Sequence, residues 1–299
     1  MIELLIVSLL WAFSFGIIKD NLSGLDPSFV ACARLGIAFL TLLPFLRLRR
    51  VTPKQAVQLI SIGAVQFGIM YISYNYAFQY LKAYEVALFT VFTPIYVTLV
   101  DQALVKKVQG TALIAAFLAV IGTAIVSWTS LQSRELALGF LIVQVSNLCF
   151  AAGQVIYRRI APSLVEVRDL EIFSLLYLGG FLITALSAIV TGGLIGLRLS
   201  NAQGGTLVYL GIVASGIGFF LWNHAARRVN TGALAVFNNL KVPLAVTVSL
   251  LFFAEKADLA HLMIGGGIVL VGLVINEALT ARSGRRAGKP AEPAEADNA

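Results

Sequence analysis

Ten times along the chain a mostly apolar run ends in a short charged or Gly/Pro/Asn-rich break, and no other feature restricts the fold so severely. The runs cover roughly 2–18, 28–46, 56–80, 84–104, 109–129, 137–157, 171–191, 205–226, 231–253 and 260–281. Crossing the hydrocarbon core of a bilayer takes about 20 apolar residues in a helix, the length of most of these runs. Composition points the same way: of 299 residues 59% are hydrophobic and 12% charged, where soluble proteins carry about 25% charged residues. The expected class is therefore an all-α membrane protein of ten transmembrane helices, in which short connections make neighbouring helices antiparallel. The start, "MIELLIV", has an acid where a signal peptide has a basic segment, so the first run is expected to stay as a helix. The tail 282–299 is expected to be disordered.

The positive charge is distributed by side. If the N-terminus is cytoplasmic and all ten runs cross, the outside connections hold only Lys19, Lys82, Arg134, Arg198 and Lys256. Arg34 and Lys241 lie inside runs, and the other 15 of the 22 Lys and Arg residues fall on the inside, tail included. This is the asymmetry of the positive-inside rule, and it places both termini in the cytoplasm of a bacterial inner-membrane protein. The net charge of +7 thus reports orientation and not a nucleic-acid partner. Cys32 and Cys149 sit in apolar runs and read as packing residues.

The chain also repeats itself. "GAVQFGIMYISYNYAF" from Gly63 aligns with "GIVASGIGFFLWNHAA" from Gly211, pairing Gly68 with Gly216 and Asn75 with Asn223. The match continues to Phe89 and Phe237 and, after a one-residue shift, to Pro94 and Pro243. Two five-helix halves follow, 1–130 and 131–281. Because five is odd, they enter the membrane in opposite senses. Inverted halves are the architecture of secondary transporters, with the substrate site near the midplane. There is no His-Glu-x-x-His run, Walker glycine loop or mid-span pair of carboxylates, so neither enzyme chemistry, a metal, a cofactor nor ATP-driven pumping is indicated.

Lys241, in "NNLKVP", occupies the middle of the 231–253 run, about 15 Å of helix from either end. A charge there costs a few kcal/mol or more in lipid. A buried ion pair and a neutral lysine are the bland alternatives, but Glu3, Glu85, Asp101 and Glu277 all lie near run ends. The functional reading is a cation on a watery cavity that meets an anionic substrate group. Asn238, three residues earlier, shares its helix face. Pro94 and Pro243 each remove a backbone hydrogen bond, and their matched positions mark them as flexing points. Arg34 fits a second anion contact, an outer-gate partner or interfacial snorkelling equally well. Tyr71, Asn147 and the other polar mid-run residues are read first as helix-to-helix hydrogen bonds.

Ten runs, inverted five-helix halves and inside termini resemble the drug/metabolite transporter superfamily, specifically its EamA group. "LLWAFSF", "LFTVFTPIYVTL", "VQVSNLCFA", "VASGIGFFLWN" and "NNLKVP" look similar to stretches of biotin uptake permeases among the carboxylate/amino acid/amine transporters. EamA proteins often carry an acid just before the proline where this chain has Lys241 and Val242, which favours a carboxylate over a cationic drug. The resemblance implies alternating-access transport of a small carboxylate-bearing metabolite, with biotin uptake first. An amino-acid exporter of the same fold and, further off, a non-transporting sensor or scaffold remain as alternatives. In the leading reading Lys241 binds the carboxylate and Asn238 a polar substrate group. Trp11, Phe15, Tyr74 and Trp222 then wall an apolar pocket. The expected partners are that substrate and the bilayer.

Overall fold

In a computed structural model of the chain, the described residues are 2–105, 134–164, 167–229 and 231–255, with isolated positions between 121 and 271; of 231–236 only the backbone is described. The fifth run, most of the tenth and the tail 282–299 lie outside them.

Among the described residues the structure is helical throughout, with no strand. Seven helices among the described residues are long and apolar enough to cross a membrane: α1 (Ile2–Leu22), α2 (Pro27–Phe45), α3 (Pro53–Ala77), α4 (Ala83–Val105), α5 (Arg134–Ile160), α6 (Asp169–Val190) and α7 (Asn201–Ala226). Thr231–Phe252 forms α8, which carries Pro243. Helices are the expected outcome because each satisfies its own backbone where no water can. The faces they turn to lipid are apolar: on α6, Leu182, Leu186 and Ile189 recur at helical spacing, and all three are exposed.

Local chemistry sets where the helices begin. Asp26 caps α2 by accepting from the Phe29 N–H at 2.8 Å, with Pro27 in the first turn. Thr52 and Gln55 form a capping box at the start of α3, and Ser200 and Gln203 form another at the start of α7. These two boxes stand at the offset that pairs Gly63 with Gly211. The same offset overlays two π-helical stretches, Ala64–Ile69 in α3 and Leu210–Ile217 in α7. The repeat written in side chains is thus also written in backbone irregularity.

Tertiary packing follows small residues. A Cβ on Gly63 would strike the Leu176 backbone, and one on Gly179 would strike that of Ile60, so α3 and α6 touch main chain to main chain. At the end where α6 begins and α7 finishes, Asp169 accepts from the Tyr157 hydroxyl at 2.8 Å, lies 2.8 Å from His224 Nδ1 and pairs with Arg227. At the opposite end the Glu255 carboxylate accepts from the N–H groups of Ala83 and Tyr84, at 2.8 and 3.1 Å, and so caps α4. Between these tied ends lies a cavity.

Candidate functional site

The cavity opens between α1, α2, α3, α4, α5, α7 and α8 and holds about 560 Å³ of empty space including its open mouth. From α1 it receives Trp11, Ser14 and Phe15, whose spacing puts them on one helix face. Trp11 is held in place twice. Its indole N–H donates to the Ala214 carbonyl at 3.1 Å, and its ring packs at 4.6 Å from Phe219 and 5.1 Å from Trp222. The carbonyl it uses belongs to the π-helical stretch of α7, where the regular backbone pattern is broken.

Lys241 enters the same space from α8 and is only 7% exposed. Its ammonium donates to Asn238 Oδ1 at 3.0 Å and sits 5.4 Å from the centre of the Trp11 ring, within reach of a cation–π contact. Among the described residues no carboxylate pairs with it. One neutral amide and one ring face do not offset the cost of burying a charge. The site is therefore short of a negative group.

Arg34 is the second buried cation, at 3% exposure. It does not snorkel to an interface. Its Nε–H donates to Ser215 Oγ at 3.2 Å, its Nη2–H to the Tyr71 hydroxyl at 3.1 Å, and its guanidinium lies 4.6 Å over the Tyr71 ring. The Tyr177 hydroxyl lies 2.5 and 2.9 Å from the Ser215 and Gly216 carbonyl oxygens, and its one proton, shared between them, ties down the backbone that presents Ser215. Arg34 Nη1 has no hydrogen-bond partner among the described residues, and the residue lines the cavity that Lys241 lines.

Phe15 and Tyr74 also line it, meeting edge to face at 5.8 Å. Two expected residues stand one layer back. Trp222, 1% exposed, packs behind Trp11, and Asn238 reaches the cavity through the ammonium it holds. The reason is geometric: the Trp11 ring stands in front of Trp222, and the longer lysine chain stands in front of Asn238.

Pro94 is buried and Pro243 is exposed, and both lie within their helices, but α4 breaks and α8 does not. Ahead of Pro94 the chain tightens into a 3-10 turn over Thr90–Phe92. Without a proline N–H, the Thr90 carbonyl is left for the Thr93 hydroxyl at 2.7 Å. The Thr90 hydroxyl serves the Ala87 carbonyl at 2.7 Å, and Asn147 Nδ2 donates to the Phe89 carbonyl at 2.8 Å. Thr90, Thr93, Ser146 and Asn147 consequently form a polar cavity wall, which a reading of single helices overlooks. The one local signal was the presence of hydroxyls one and four residues before a mid-run proline. Among the described residues no group of His, Cys, Asp or Glu could hold a metal ion.

The model of the EamA-like transporter family matches residues 1–128 and 137–277. A protein of Pseudomonas aeruginosa named as a probable biotin transporter is 38% identical over 95% of this chain and 98% of its own. The biotin transporter of Escherichia coli K12 is 36% identical over 91% of each chain. A probable amino-acid metabolite efflux pump of the same bacterium is 23% identical, over 91% and 92%. A solved crystal structure overlays with a TM-score of 0.67 at 16% identity, covering 94% of this chain and 97% of the other, which shows the shared fold.

Proposed function

The chain belongs to the EamA-like transporter family, and on that premise we propose that it imports biotin across the bacterial cytoplasmic membrane by alternating access. Lys241 binds the valerate carboxylate, assisted by the free Nη1 of Arg34. Trp11, Phe15 and Tyr74 cover the apolar arm and ring, with Trp222 backing Trp11. Pro94 and Pro243 supply the flexing points between two oppositely oriented halves, 1–130 and 131–281. Both termini face the cytoplasm.

The observation that carries the substrate class is the Lys241 ammonium, buried beside an aromatic wall with no carboxylate partner among the described residues. A substrate carboxylate completes it and makes anion binding strong in a low-dielectric site. The names of the relatives supply the rest. An amino acid, the cargo of the exporter reading, brings an ammonium as well. No acidic residue is found among the described residues lining the cavity, so that second charge would go unanswered.

Expression in a biotin auxotroph that lacks its own importer should restore growth on trace biotin and drive uptake of labelled biotin. No growth and no uptake would defeat the proposal. Resistance to a toxic amino-acid analogue, with amino acids released to the medium, would put the exporter in its place. Flux indifferent to Lys241→Ala would point to a sensor or scaffold.

A further inference from the structure

We infer that the hydroxyl wall of α4, α1 and α5 is a hydrogen-bond acceptor surface that selects ligands carrying N–H donors, and so distinguishes a ureido ring from other carboxylate-tailed rings. This deepens the biotin reading and rests on it.

The argument is a count of protons. Each hydroxyl has one proton, and on Ser14, Thr90 and Thr93 that proton is already in use. Ser14 donates to the Leu10 carbonyl at 2.8 Å and Thr90 to the Ala87 carbonyl at 2.7 Å. Thr93 Oγ1 lies 2.7 Å from the Thr90 carbonyl and 3.1 Å from Asn147 Oδ1, both acceptors, so its proton is taken whichever it faces. A hydroxyl that donates inward keeps its lone pairs for the space in front of it. The amide of Asn147 behaves alike. Its two N–H groups go to the Phe89 carbonyl at 2.8 Å and Gln144 Oε1 at 3.1 Å, which fixes the amide orientation and leaves only its oxygen with capacity. On α4 and α5 the Pro94 break supports this polarity, because it leaves the Thr90 and Phe89 carbonyls to the Thr93 hydroxyl and the Asn147 amide.

Ser146, beside Asn147 and also on the cavity, has no hydrogen-bond partner among the described residues. Its hydroxyl is available to donate. The wall as a whole therefore offers several acceptors and one donor, the complement of a cyclic urea with two N–H groups and one carbonyl. The cations Lys241 and Arg34 contribute the anion contact and cannot accept a hydrogen bond at all. Charge recognises the tail; the neutral wall reads the ring.

The test compares ligands that share a tail. Dethiobiotin keeps the carboxylate arm and the ureido N–H groups, whereas lipoate keeps the arm and a five-membered sulfur ring but has no N–H. In the wild type, unlabelled dethiobiotin should compete with labelled biotin uptake and lipoate should not, since a buried acceptor left unpaired penalises the wrong ligand. Thr93→Val and Thr90→Val should each raise half-saturation for biotin about tenfold while leaving lipoate inhibition where it was. Thr93→Ser, which keeps the hydroxyl, should retain discrimination. Should a valine variant carry nothing, the biotin-to-lipoate ratio is read from equilibrium binding to the detergent-solubilised full chain. Biotin uptake with the ratio unchanged in both valine variants overturns this inference alone. A wild type that takes up no biotin overturns the parent reading and this one together.

Discussion

The two prolines that the repeat brings into register, Pro94 in α4 and Pro243 in α8, show how one motif has been put to two uses. Both helices carry their proline within the span, and both place a threonine four residues later whose hydroxyl donates back to the proline carbonyl, Thr98 at 3.0 Å and Thr247 at 2.8 Å. The two segments also pack against each other. Ahead of Pro94, however, the helix tightens into a 3-10 turn, and the Ala87, Thr90 and Phe89 carbonyls around it accept from Thr90, Thr93 and Asn147. Ahead of Pro243 the helix stays regular and carries Lys241 instead. The repeat keeps the proline in both segments, while the residues just before it differ, forming a neutral wall in one and a cation in the other. A symmetric scaffold thereby acquires a polar, oriented site.

The strongest way to break this contrast is to remove the cation. Lys241→Met should lower kcat/KM for biotin uptake about 100-fold or more, in the range seen when a buried charge contact is lost. Its Tm in detergent should not fall, because an unpaired buried charge is replaced by an apolar chain of similar length. A normal uptake rate would mean that α8 holds no anion site. The corresponding loss in α4 should be structural first. Asn147→Leu leaves the Phe89 carbonyl without its side-chain donor, costing about 1–3 kcal/mol, and Tm should drop by several degrees in a melting experiment that Lys241→Met passes unchanged.

The prolines themselves sharpen the comparison further. Pro243→Ala restores the backbone hydrogen bond that the proline withholds from α8 and should reduce maximal transport about tenfold. Pro94→Ala should cost less, because Thr90, Thr93 and Asn147 still hold the α4 carbonyls away from a regular helix. Equal effects in a transport assay would show that the side chains do not sustain the break. The smallest effects belong to the shared feature. Thr98→Val and Thr247→Val should each stay within about 0.5 kcal/mol of wild-type stability, as back-bonding to a carbonyl contributes little. A large change at one position only would reveal an asymmetry unseen in the geometry.

Much of this was legible in residue order. The starts and ends of the eight described helices lie within a few residues of the apolar runs, because a span is a local property of length and hydropathy. Lys241 was identifiable as an expensive mid-span charge by position alone. Arg34 was not resolved: nothing nearby in sequence says that Tyr71 and Ser215, from two other helices, hold its guanidinium in the interior. The wall around Thr90, Thr93 and Asn147 was missed for the same reason. Each residue alone is an ordinary polar group in a membrane helix, and its use appears only when α5 lies against the break in α4.

By itself the sequence determined that the chain must be a bundle of membrane-crossing helices, where their ends fall, that its halves repeat and that one lysine is stranded at mid-depth. These follow from periodicity, length and charge, which act along the chain. Only the tertiary structure decided which side chains share the cavity, that Trp222 and Asn238 stand behind Trp11 and Lys241, and which protons are already spent. Those outcomes depend on how closely helices cross, and the crossing is set by contacts such as Gly63 on Leu176 and Gly179 on Ile60, between residues far apart in the chain and meeting only once it has packed.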